Sequence, residues 1–90
     1  MKISFTKEYK RDLKRLANQP EILLSAEMID VMHHLLNGKN LPKKHKDHAL
    51  SGNWKGFRDC HIKNDLVLIY HVNNEGLTLV RLNTHSEVFR

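Results

Sequence analysis

Apolar residues recur along this chain first at every second position, then at every third or fourth, and then at every second again. That order predicts a strand, helices, and further strands. Ile3 and Phe5 alternate with Lys2 and Ser4, so residues 2–5 read as a short strand. Thr6 is placed to cap a helix, with Glu8 early enough to favour its positive end. Tyr9, Leu13, Leu16 and Ala17 follow at helical spacing, while Lys7, Lys10, Arg11, Lys14 and Arg15 fill the other faces. Asn18-Gln19-Pro20 breaks the pattern, and Pro20 with Glu21 suits the first turn of a second helix. Its apolar stripe is Ile22, Leu24, Met28, Val31, Met32 and Leu35, its stop is Gly38, and His33 and His34 fall on its flank at the surface.

Residues 39–53 read as a long loop with four lysines and two histidines, His45 and His48. Two-residue alternation begins at Trp54, with Phe57, Asp59 and His61 on one face and Arg58, Cys60 and Ile62 on the other. After a turn at Asn64, Leu66 to Val72 is a nearly continuous apolar run, as expected of a central strand. Asn73-Asn74-Glu75-Gly76 is a turn, Leu77 to Leu82 a further strand, and Thr84 to Phe89 is long enough for one helical turn. The expected fold is α+β: an N-terminal strand and two helices packed on one face of an antiparallel sheet, with a C-terminal three-stranded meander. The opposite face is then free to be concave and polar. Ninety residues make one domain, 1–90, with no repeat or linker.

Composition narrows the function. Lys and Arg number 15 against 10 Asp and Glu, a net charge of +5, which suits a polyanionic partner as well as a solvated basic surface. The single cysteine, Cys60, excludes an intrachain disulfide and fits a reducing compartment; on a strand face with Ile62 it reads as buried and inert. The N-terminus lacks the apolar run of a signal peptide, and no stretch reaches the ~20 apolar residues a membrane span requires. A cytoplasmic protein without a membrane partner is expected.

The candidate chemistry lies in His48, His61, Asp65 and His85, with Arg81 and Phe89 beside them. RNA is cut without metal when its 2′-hydroxyl attacks the adjacent phosphorus. The 2′-oxygen loses a proton, the 5′-oxygen gains one, and cations meet the phosphoryl charge. Imidazoles titrating near neutrality suit the two proton transfers, and an arginine suits the charge. Taken singly, a histidine at a strand end, an Asp at a turn and an Arg on a strand have ordinary structural readings; convergence is what gives the set meaning. Phe89 could stack on an unpaired base, and Trp54 and Phe57 could do so or pack at the rim. No HExxH, zinc pattern or glycine-rich phosphate loop is present, and no cofactor is expected.

The stretch from Lys46-Asp47-His48 through Arg58-Asp59-Cys60-His61 to Asp65, with Thr84-His85-Ser86-Glu87-Val88-Phe89, resembles the YafQ-type branch of the RelE/ParE toxin superfamily. The resemblance covers the whole chain in length and element order. It implies the same two helices on an antiparallel sheet, and a type II toxin that cleaves mRNA in the ribosomal A site. It also implies a cognate antitoxin as partner, with operator DNA met only through the antitoxin complex. By motif match, His48, His61, Asp65 and His85 stand at the branch's catalytic positions, and Arg81 and Phe89 at substrate-binding ones. His85 is the expected leaving-group acid, and the split of duties among His48, His61 and Asp65 is open. Ala49 departs from the proline usual after the loop histidine, which loosens the backbone beside His48. A gyrase-inhibiting toxin of the same fold and a non-catalytic nucleic-acid-binding module are the alternatives; the first would not need the three histidines and Asp65 together, and the second would bind RNA yet leave it uncut on ribosomes.

Overall fold

A computed structural model describes residues 2–90. Strand β1 (Lys2–Phe5) leads into helices α1 (Lys7–Leu16), α2 (Pro20–Leu23) and α3 (Ala26–Leu36). A 3-10 turn at Lys43–His45, strand β2 (His48–Ala49) and a second 3-10 turn at Gly52–Trp54 follow. The chain closes with β3 (Arg58–Lys63), β4 (Leu66–Asn73), β5 (Gly76–Thr84) and the single turn α4 (His85–Val88). The five strands form one sheet in the order β1-β5-β4-β3-β2, with β1 parallel to β5 and the other pairs antiparallel. This is the α+β layout expected, with the meander β3-β4-β5 at its centre.

Local chemistry explains where the elements start and stop. Thr6 caps α1 by accepting from Tyr9 N–H at 3.0 Å, and its hydroxyl donates to Val80 C=O at 2.6 Å, tying the helix start to β5. The anticipated second helix is two helices, because Ser25 leaves the helical region and accepts from Met28 N–H as a new N-cap. Leu24 falls in that break and is 73% exposed, so it drops out of the apolar stripe and Leu23 packs instead. Ala17 is likewise exposed, whereas Asp12, on the same helix, is buried. Gly76, at φ +154, lets β1 lie against the start of β5; any Cβ there would collide with the Lys2 carbonyl.

The core between helices and sheet joins Tyr9, Leu16, Met28, Val31 and Leu35 to Cys60, Ile62, Leu68, Tyr70, Leu77, Leu79 and Leu82. Each fully buried aliphatic side chain contributes roughly 1.5–3 kcal/mol. Alternate residues of β4 and β5 face the other way, and the opposite sheet face is not wholly polar. Val67, Ile69, Val80 and Val88 form a second apolar cluster there, covered by Leu50, Trp54, Phe57 and Phe89. This double covering is why Leu66 to Val72 is almost continuously apolar. No helix among the described residues is long and apolar enough to cross a membrane.

Candidate active site

The loop at residues 39–53 holds its shape because charged side chains pin it to the sheet. Asp47 accepts from Arg58 Nε at 3.3 Å and Nη2 at 3.0 Å, and also from the Tyr70 hydroxyl. Lys46, in the left-handed region at φ +49, turns the chain into β2. His48 then pairs opposite Asp59 and Ala49 opposite Arg58, while Leu50 N–H bonds to Phe57 C=O at 2.9 Å. The backbone beside His48 is therefore fixed by strand pairing despite the alanine.

Pairing across the sheet sets the site in rows. His48 stands opposite Asp59, Asp59 opposite Ile69, and Ile69 opposite Arg81. In the next row His61 stands opposite Val67, and Val67 opposite Asn83. Directly opposed residues share a sheet face, so both rows lie on the face away from the helix core. His85 follows the last pair at the start of α4, its N–H donating to Asp65 C=O at 3.1 Å.

Asp59 is the centre of this arrangement, and sequence reasoning did not select it. Its side chain is 2% exposed and its Oδ1 lies 3.2 Å from His48 Nδ1 without forming a hydrogen bond. Burial pushes its carboxyl above the usual range, partly opposed by the fields of His48, His61 and His85. His48 is the imidazole that reaches this buried carboxyl, and His61 lies on the same sheet face one row away. The available signal was an aspartate within a strand, where aspartate is disfavoured, on the face it shares with Phe57 and His61.

The other expected residues are not all gathered at this centre: His61 shares its sheet face, whereas Asp65 lines a cavity with Arg15, Leu16 and Ile22 of the helix layer. His48 donates Nδ1–H to Lys46 C=O at 2.9 Å, which in the neutral ring leaves Nε2 free as a proton acceptor. His61 is half-buried and His85 exposed. Asp65 is exposed at the β3–β4 turn; its backbone reaches His85, and its surroundings form a cavity of about 570 Å³ that Arg15 and Lys63 also line. Phe89 is half-buried, its ring 4.7 Å from His85 and 6.1 Å from Trp54 by centroids. Trp54 and Phe57 pack edge to face at 5.7 Å on the second apolar cluster.

Arg81 is held more tightly than its strand position suggested. Its Nε and Nη2 donate to Asp12 at 2.8 and 3.2 Å, and Asp12 also accepts from Leu82 N–H and Asn83 Nδ2, both at 3.0 Å. Burial pushes the Asp12 carboxyl up, but the bonds from Arg81, Leu82 and Asn83 outweigh it and hold the group below the usual range. An arginine has five N–H donors, so this pair leaves others free. The basic face of α1 belongs to the helix layer, across the sheet from the histidines.

The sequence model of the family described as "Bacterial toxin of type II toxin-antitoxin system, YafQ" matches residues 1–90. This chain belongs to the YafQ family. A Haemophilus influenzae protein described as a toxin YafQ is 47% identical over 92 residues, covering 97% of this chain and 90% of its own length. The mRNA interferase toxin YafQ of Escherichia coli K12 is 33% identical over 88 residues, 97% of this chain and 94% of that one. Among solved structures, a copper-bound mutant toxin from Helicobacter pylori is similar at TM-score 0.86 and 36% identity over 99% of both chains. The E. coli DinJ–YafQ complex is similar at TM-score 0.84 and 30% identity, over 99% of this chain and 98% of that one. Among the described residues of this YafQ-family chain, no three His, Cys, Asp or Glu side chains form a set that could hold a metal ion.

Proposed function

We propose that this YafQ-family toxin is an endoribonuclease that cleaves mRNA on the ribosome by general acid–base catalysis and so arrests translation. The observation that carries the reading is the one sheet face that holds His48, buried Asp59 3.2 Å from it, and His61, with His85 following β5 at the start of α4. A base of this set removes the 2′-hydroxyl proton, the 2′-oxygen bonds to phosphorus, and the bond from phosphorus to the 5′-oxygen breaks. An acid of the set returns a proton to that 5′-oxygen. The products are a 2′,3′-cyclic phosphate and a free 5′-hydroxyl, and the sequence of steps needs no metal ion.

His85 is the proposed acid, and Phe89, 4.7 Å from it, holds a base beside the reacting phosphate. His48, whose Nε2 points away from its backbone bond, suits the base, with His61 and Asp65 sharing the remaining proton duties. Arg81 meets phosphoryl charge with the donors that Asp12 does not use. The loop lysines and the basic face of α1 hold phosphates of mRNA and ribosomal RNA. The E. coli DinJ–YafQ complex supports a cognate antitoxin for this chain, laid over the histidine face by helix docking or strand addition.

Primer extension on mRNA from programmed ribosomes, with chelator present, tests the reading. New stops that depend on this protein are expected. Uncut mRNA with retained RNA binding, or growth arrest through damaged DNA rather than halted translation, overturns it.

A further inference from the structure

His45 was legible only as one more polar residue of the lysine loop, yet it is 1% exposed and packs between α3 and β3. Its Nδ1 is 2.8 Å from the backbone carbonyl of His61 and its Nε2 is 2.9 Å from Asp30 Oδ2 on α3. A carbonyl oxygen only accepts. Asp30, half-buried with Lys44 and His34 beside it, is a carboxylate near neutral pH and accepts as well. Both ring nitrogens must then donate, which only the imidazolium does. The other titratable groups facing this cluster are His34, 3.5 Å from Asp30, and Lys44, 3.9 Å from Asp30.

We propose that His45 is a positioning residue: as a doubly donating imidazolium it clamps the His61 backbone to α3 and fixes the loop that carries His48. The proposal rests on the ribonuclease reading above. It links the two histidines through one buried ring, three residues before His48 and bonded to the peptide of His61. Asp47, two residues further along the loop, completes the anchorage through Arg58 and Tyr70. The ring touches no substrate; its work is to keep two proton-transfer groups in register, where small displacements cost large factors in rate.

Nitrogen-15 NMR of the free, full-length protein reads the clamp without any cleavage assay. Near neutral pH, both His45 ring nitrogens are expected to be protonated; one unprotonated nitrogen overturns the proposal. Asp30→Asn provides the second test, since an amide can donate to Nε2. A neutral His45 then keeps its bond to His61, and cleavage stays within a few-fold of the parent while the NMR signature becomes that of one tautomer. Folded His45→Gln is expected to lose roughly 10- to 100-fold in single-turnover rate at saturating ribosomes, with half-saturation unchanged. Parental rate in folded His45→Gln, or a loss confined to half-saturation, overturns the positioning role. If the parent itself leaves ribosomal mRNA intact, the ribonuclease reading fails while the NMR result still decides the protonation of His45.

Discussion

His48 and Asp59 stand directly opposite one another on β2 and β3 with Nδ1 3.2 Å from Oδ1, yet the imidazole gives its proton to Lys46 C=O and leaves that oxygen unpaired. A buried carboxyl in this state costs stability. Burial raises its pKa, His48, His61 and His85 only partly offset the rise, and the folded chain binds its proton more tightly than the unfolded chain does. Stability therefore falls as pH rises from the ordinary carboxylate range, near pH ~4, through the raised value. Asp59→Asn removes that dependence. The variant is expected to melt at or above the parent at neutral pH, with the difference closing in acid, while ribosomal cleavage drops. Thermal melting across pH checks this; a variant that melts well below the parent at neutral pH contradicts it.

Asp12 and Arg81 behave in the opposite sense. The bonds from Arg81, Leu82 and Asn83 outweigh burial, so the Asp12 carboxyl is held low. Its contribution is present above the unfolded value near pH ~4 and is lost as pH falls through the depressed one. Arg81→Ala strands a carboxylate that is 2% exposed, and breaking a buried pair in this way costs roughly 3–5 kcal/mol. Denaturant titration of Arg81→Ala at neutral pH measures it. An unchanged midpoint means Arg81 serves substrate alone.

Much of this architecture was legible in the chain because period and capping are local. Thr6, the alternation from Phe57 to Ile62 and the turn at Asn64 each declare themselves within a few residues. The helix break at Ser25 was not, since Ser25 acts as a cap only through its bond to Met28 N–H. The parallel pairing of β1 with β5 joins residues more than 70 positions apart, which no periodicity records. At the site, the three histidines were visible as residue types suited to proton transfer. Asp59, His45 and Asp12 were not, because each matters through burial and through partners distant in sequence. A buried charge and an exposed one look alike until the sheet closes over it.

Cys60 carries a further expectation. It is fully buried in the helix-side core, and burial, followed by Asp47 and Asp59, pushes its thiol well above the usual range. The thiolate is the reactive form. Iodoacetamide at neutral pH is expected to leave the folded protein unmodified and to alkylate it fully in denaturant, as read by mass spectrometry. Rapid alkylation of the native protein means the β3 face is not covered as described.

His85 and Phe89 occupy the two ends of α4, their rings 4.7 Å apart and tilted by 49°. On the proposed reading the pair divides proton transfer from base holding. Phe89→Ala removes a stacking surface worth about 1–3 kcal/mol, so half-saturation is expected to rise roughly tenfold to hundredfold, and Phe89→Tyr is expected to restore it. His85→Ala removes the proposed acid, and the saturated rate is expected to fall by about 10²–10⁴ with half-saturation little changed. A substrate with sulfur in place of the 5′-oxygen leaves without a proton, so it should be cut by His85→Ala nearly as fast as by the parent. Equal impairment on both substrates would assign His85 some duty other than protonating the leaving group.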